Sequence, residues 1–183
     1  MANVYKRKQV YYCLGAIYDH GLVFAEAGKH LIETRGRFSV PGMVNLCLAT
    51  EIFLKSINGM FSNLEDELFH EGVKVYAGRD EDRKLEPGGH GHKLSKLFDG
   101  LPADAQAEIT ANAKVAGFNG DVSKGLELYD KVFVDWRYIY EENNPEVLST
   151  RPLFEIVNAI DAYCRKHRNE VRQVTSDQIE SPV

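Results

Sequence analysis

The chain has 183 residues, 44% of them apolar and 27% charged, with a formal net charge of −5. That size and composition suit one domain with its own core and exclude a fibre or a disordered chain, while the acidic balance argues against a generic nucleic-acid binder. No apolar run approaches the roughly 20 residues that cross a bilayer, and Asp19 and His20 interrupt the only stretch resembling a secretory h-region, so a cytoplasmic protein with no membrane partner is expected.

Residues 10 to 34 carry Leu14, Ile17, Tyr18, Leu22, Phe24, Ala25, Leu31 and Ile32 at intervals that mostly fit a helix. Gly15, Gly21 and Gly28 each cost roughly 1 kcal/mol against alanine there, which points to close packing against a neighbour or to a weaker helix. Ser39 as N-cap and Pro41 in the first turn open a second helix over 39–59. Met43, Val44, Leu46, Cys47, Phe53, Leu54 and Ile57 leave it almost no polar face, the pattern of a central helix. Only Glu51 and Lys55, one turn apart, interrupt it.

Residues 61–91 read as a long loop or insertion. Leu64, Leu68 and Phe69 fit a short helix, Val73 to Ala77 alternate like a brief strand, and the charged run before Glu86-Pro-Gly-Gly-His-Gly reads as solvated loop. Short helices follow over 92–101 and 103–115. Asp121 caps a helix over 121–142 with an aromatic stripe of Tyr129, Phe133, Trp136 and Tyr140. A last helix starts near Pro152 and ends in the basic run Arg165 to Arg172, where its dipole favours positive charge. Residues 174–183 are expected to be disordered. The predicted fold is all-α: a single-domain bundle of five to six helices over 1–173, with 39–59 and 121–142 central and antiparallel or nearly so.

Four groups of residues could carry chemistry. Glu51 and Lys55 lie on an apolar helix, so they need partners beyond each other, and Arg137 with Glu141 is the matching set. A network that fixes helix register competes there with a catalytic role. Trp136-Arg-Tyr-Ile-Tyr-Glu141 combines an arginine, stacking rings and tyrosine hydroxyls suited to RNA or nucleotide contact, or else forms a bundle core around a buried ion. His90 and His92 lack further ligands at fixed spacing, so no metal site is expected, and His92 remains as a catalytic, RNA-contacting or merely solvated histidine. Arg165, Lys166, His167, Arg168 and Arg172 either touch phosphate or form a solvated helix end. Cys13, Cys47 and Cys164, far apart in apolar patterns, read as buried reduced thiols.

Asn45-Leu-Cys-Leu-Ala-Thr-Glu51-Ile-Phe-Leu-Lys55, Gly91-His92-Lys-Leu-Ser-Lys-Leu-Phe98 and Val134-Asp-Trp-Arg137-Tyr-Ile-Tyr-Glu141 occur in that order. Together they resemble a bacterial branch of the HEPN superfamily, over roughly residues 10 to 165. The resemblance implies a helical bundle that dimerises. It further implies either a metal-independent ribonuclease of toxin–antitoxin or phage-defence systems, or a relative that has lost catalysis and serves as a binding module. Active members carry an Arg and a His with four to six residues between them on one helix, with the RNA 2′-hydroxyl as nucleophile. Here Arg83 and His90 have that spacing, but Pro87-Gly-Gly breaks the helix between them, and no histidine follows Arg137 at the required distance. The expected function is therefore a homodimeric binding or regulatory module. It would engage RNA, a nucleotide or a cognate protein partner in a defence or stress system, without cofactor. The alternative is a metal-independent ribonuclease with an atypical site. Arg137, His92 and Tyr138 are its catalytic candidates, and Glu51, Lys55, Tyr140 and Glu141 form the binding or structural network.

Overall fold

The computed structural model describes residues 3–34, 39–132 and 149–179. It corrects the expected all-α helical bundle: the chain is mixed α/β, with a five-stranded antiparallel sheet beside a helical body. The elements run β1 (Asn3–Tyr11), α1 (Gly15–Thr34), α2 (Ser39–Ser56), β2 (Met60–His70), β3 (Val73–Gly78), β4 (Lys84–Glu86), α3 (Leu94–Asp99), α4 (Ala103–Val115), α5 (Val122–Glu127), α6 (Thr150–Lys166) and β5 (Val171–Ile179).

The helical body follows the apolar periodicity. On α2, Leu46, Cys47, Ala49, Phe53 and Leu54 are all buried, because α1, α3 and α6 surround it. The glycines of α1 mark its contact with α2. A Cβ at Gly21 would lie 2.6 Å from the Phe53 ring, and one at Gly28 would lie 2.8 Å from the Gly42 carbonyl, so the two backbones meet where no side chain fits. Ile109 and Ala113 of α4 join Ile156, Val157 and Ile160 of α6 in the same core. Tyr18 donates from its hydroxyl to Asp161 at 2.6 Å, which satisfies the one polar atom of a ring packed 5.1 Å from Phe53.

The predicted helix 121–142 is helical over Val122–Glu127, where Asp121 caps by accepting from the Lys124 N–H, and continues in turns to residue 131. Residues 133–142 lie outside the described residues, and with them the expected pairing of this helix against α2.

The sheet arises mostly where helix, loop and a disordered tail were expected, and the brief strand read over Val73 to Ala77 is present as β3. In β1, Val4, Lys6, Lys8 and Val10 share one face and Tyr5, Arg7, Gln9 and Tyr11 the other, each mixing apolar and charged side chains. Such a strand lacks the apolar–polar alternation that marks a half-buried one. The order is β3-β2-β1-β5, with β4 also pairing β2. Tyr5 lies opposite Glu65 of β2 and Gln178 of β5.

The expected short helix around Leu64, Leu68 and Phe69 is instead β2, and most of the expected loop 61–91 is β2, β3, a 3₁₀ turn at Asp80–Asp82, and β4. Glu71 and Gly72 turn β2 into β3 with φ of 52° and 80°, the left-handed pair that a tight two-residue hairpin requires. Most of the expected disordered tail, through Ile179, pairs with β1 as β5.

The sheet is rooted at the ends of α2 and α6. Tyr11 donates its N–H to the Gly59 carbonyl, Leu14 to that of Ser56, and Tyr12 to that of Glu170, at 2.8–2.9 Å. Cys13 bridges to Arg168 between these anchors.

Candidate functional site

Glu51 is the most conspicuous charge of α2, and its surroundings explain how it is tolerated there. Its side chain is 9% exposed, and one oxygen, Oε1, accepts from Lys55 Nζ at 2.7 Å. The same oxygen lies 3.0 Å from His92 Nδ1. A buried carboxylate needs such partners, because an unpaired one costs several kcal/mol. Glu51 and His92 lie 41 positions apart in sequence, so this contact is tertiary.

The backbone delivers His92 to that point. Gly88 donates its N–H to the Lys55 carbonyl at 2.8 Å, and a Cβ there would sit 1.8 Å from the Ile57 carbonyl oxygen. Only glycine fits, so Pro87-Gly-Gly lies directly against the end of α2. Gly91, at φ +89°, then bends the chain in a conformation that favours glycine. Beyond His92, α3 is held by buried Leu94, Leu97 and Phe98. Its first turn is fastened by Asp130, whose carboxylate accepts from the Ser95 N–H at 2.9 Å and from its hydroxyl at 2.6 Å.

The trio has a graded exposure: 9% for Glu51, 19% for Lys55 and 83% for His92. Donation from Nδ1 to the carboxylate fixes the imidazole tautomer and leaves Nε2 directed away from that bond. The arrangement offers an oriented imidazole that can donate to, accept from, or exchange a proton with a group arriving from solvent, next to an ammonium. Among the described residues, no cluster of three His, Cys, Asp or Glu side chains is disposed to hold a metal ion.

Of the residues singled out from the sequence, the structure therefore brings together Glu51, Lys55 and His92. Arg137, Tyr138, Tyr140 and Glu141 lie outside the described residues, so the expected Glu51–Arg137 contact does too. The basic run 165–172 is engaged throughout by carboxylates. Arg165 pairs with Asp161 at 2.9 Å, Lys166 with Glu108 at 2.9 Å, Arg168 with Asp19 at 2.6 Å and Arg172 with Asp104 at 2.9 Å. His167 has Nδ1 2.7 Å from Glu170 and Nε2 3.0 Å from Glu108. Those pairs account for the charge as a fastening of α6, α4 and the sheet root. Cys13, Cys47 and Cys164 are free and buried, and burial pushes the Cys47 thiol up to about 12.

Sequence reasoning missed Asp130, which positions α3 and with it the His92 loop. Its only sequence signal is an acid beside a periodic stripe, and its partner lies 35 residues away. No helix among the described residues is long and apolar enough to cross a membrane. The chain matches no family model, no curated protein and no solved structure, so a functional reading rests on the chemistry of the Glu51–Lys55–His92 site and on the resemblance of its segments.

Proposed function

We propose that this chain is a HEPN-like binding or regulatory module that engages RNA or a nucleotide, with His92 as the contacting side chain and Glu51 and Lys55 as its support. One observation carries the reading. Two of the three segments behind the resemblance, the Glu51–Lys55 turn and the His92 segment, meet at a 3.0 Å contact that leaves the imidazole open to solvent. A phosphate approaching it would meet an oriented N–H or imidazolium donor with an ammonium nearby. The expected homodimer and a cognate partner in a defence or stress system belong to the same proposal.

A second reading is favoured by the same pair. An imidazole oriented by a carboxylate is a general acid–base arrangement, and a metal-independent ribonuclease would use it on the RNA 2′-hydroxyl or the leaving oxygen, with Arg137 and Tyr138 as further candidates.

One experiment addresses both. Labelled total RNA and tRNA are incubated with the purified protein in EDTA, beside folded His92→Ala and Arg137→Ala variants, and retention and cleavage are both scored. Retention that falls at least about tenfold in His92→Ala, without cleavage, supports the module. Cleavage in chelator that both substitutions abolish supports the ribonuclease. Neither retention nor cleavage at high protein concentration, with RNA or with free nucleotides, sinks both.

A further inference from the structure

Strand β3 is an edge of the sheet, and all six of its residues, Val73 to Gly78, are exposed. The two-residue turn at Glu71-Gly72 sets which backbone groups face which way. In a hairpin of that length the residues flanking the turn, His70 and Val73, exchange hydrogen bonds, and the pattern alternates from there. Val73, Val75 and Ala77 therefore spend their backbone groups on β2, opposite His70, Leu68 and Asp66. The N–H and C=O groups of Lys74 and Tyr76 point to the open side, where no described strand pairs with them. Leu68, Phe69, Val73, Val75 and Tyr76 are exposed large apolar side chains on the same hairpin. An open, apolar edge of this kind invites another strand unless charge, proline or a bulge blunts it. β3 has no proline, and its single charged residue, Lys74, is already drawn 2.7 Å from Glu67.

We propose that β3 is the docking edge for a second copy of this chain, the two β3 strands pairing antiparallel about a two-fold axis through Val75. Symmetry and the outward backbone groups select this register. A two-fold perpendicular to the sheet places residues of equal parity opposite each other, so Lys74 and the partner's Tyr76 exchange hydrogen bonds, and Tyr76 and the partner's Lys74 do the same. Val75 then meets the partner's Val75 in the closely spaced, non-hydrogen-bonded position. On that face Leu68, Val75, the partner's Val75 and the partner's Leu68 form one apolar row across four strands. On the other face each lysine lies beside a tyrosine ring of the other copy. No like charges face each other directly, which matters for two chains of net charge −5. The opposite edge, β5, suits this less well: its start is fastened to α4 through Arg172 and Asp104 at 2.9 Å. The surface is separate from the His92 site, and its test does not depend on RNA.

The test combines mass in solution with directed cross-linking. Light scattering on the wild type at high micromolar concentration is expected to give twice 20.7 kDa. Because the three native cysteines are buried, Val75→Cys introduces the one exposed thiol among the described residues. Mild copper–phenanthroline oxidation, with oxygen as electron acceptor, should convert it to a covalent dimer. Val73→Cys, which faces the partner's Ala77, should cross-link far more slowly. Val75→Glu should weaken the dimer by about tenfold or more, with a melting curve that matches the wild type at dilutions where both are monomeric, since that side chain is exposed in the single chain. A monomeric wild type overturns the proposal and would leave the edge to a strand from another protein. A dimer indifferent to Val75→Glu, or one that cross-links at 73 in preference to 75, overturns it as well.

Discussion

At the level of single residues, Glu51 divides its two partners into a structural one and an available one. Lys55 lies largely inside the fold and 2.7 Å from the carboxylate, whereas His92 is 83% exposed. Removing Lys55 leaves a buried charge with one solvated partner. Lys55→Met should therefore cost about 1–3 kcal/mol, toward the low end where solvent screens the pair. His92→Ala should cost under about 0.5 kcal/mol, as surface changes do. Urea unfolding of both variants checks this, and equal losses would mean that His92 is part of the scaffold and not a free contact.

His167 behaves differently. Each ring nitrogen lies within hydrogen-bond distance of a carboxylate, and only the imidazolium can donate from both. Burial opposes that charge, but the hydrogen bonds to Glu170 and Glu108 outweigh it and raise the pKa above 6.5, with Lys166 acting weakly against them. The rings of Tyr12 and Tyr163 flank it. A group whose pKa is raised by folding stabilises fully below its unfolded value. That stabilisation disappears as pH climbs through the folded value. The wild type should thus lose its stability advantage over His167→Gln as pH climbs from about 6.5 through the raised folded value, by on the order of 1 kcal/mol or less because its partner Glu170 is half exposed. Denaturant midpoints for the two proteins across that range test the sign.

Among the elements, α1 and α2 depend on each other through missing side chains. A methyl at Gly21 would enter the Phe53 ring at 2.6 Å. Although alanine favours a helix by roughly 1 kcal/mol over glycine, Gly21→Ala should lower stability by about 1–3 kcal/mol, because overpacking at a close helix contact forces the backbones apart. A melting temperature at or above that of the wild type would show that Phe53 yields. The glycines in 10–34 and the apolar run in 39–59 were legible because helix packing repeats within a few residues. Glu51 was legible for the same reason, as a charge in an apolar stripe. Its assignment to Arg137 rested on matching charge across distant segments, and the structure supplies His92 as a partner. The loop that carries His92 looked structureless, since the fit of Gly88 against Ile57 exists only once both segments are in place.

At the scale of the whole molecule, all of the sheet but β3 escaped the sequence for a related reason. Both faces of β1 mix charged and apolar side chains, and β2 buries Ser62, Glu65 and Glu67 where apolar residues would be expected. Glu67 lies 2.7 Å from the Lys74 ammonium, and that pairing lowers its pKa. Periodicity cannot mark such strands. What identifies them is pairing between segments remote in the chain, and Val4 lies opposite Ile179.

That pairing has a consequence in time. During synthesis β1 emerges first and gains β2 once residue 70 is available, but its other edge has to wait until the α6 segment and residues 171–179 have been made. The most C-terminal described core residue is Cys164, so the described helical interior draws on nothing beyond it. The growing chain therefore passes through a stage in which the segments of its helical interior have all been made while β1 still presents a bare edge. The interval between His70 and Ile179 sets how long each newly made molecule is open to capture by a strand other than its own.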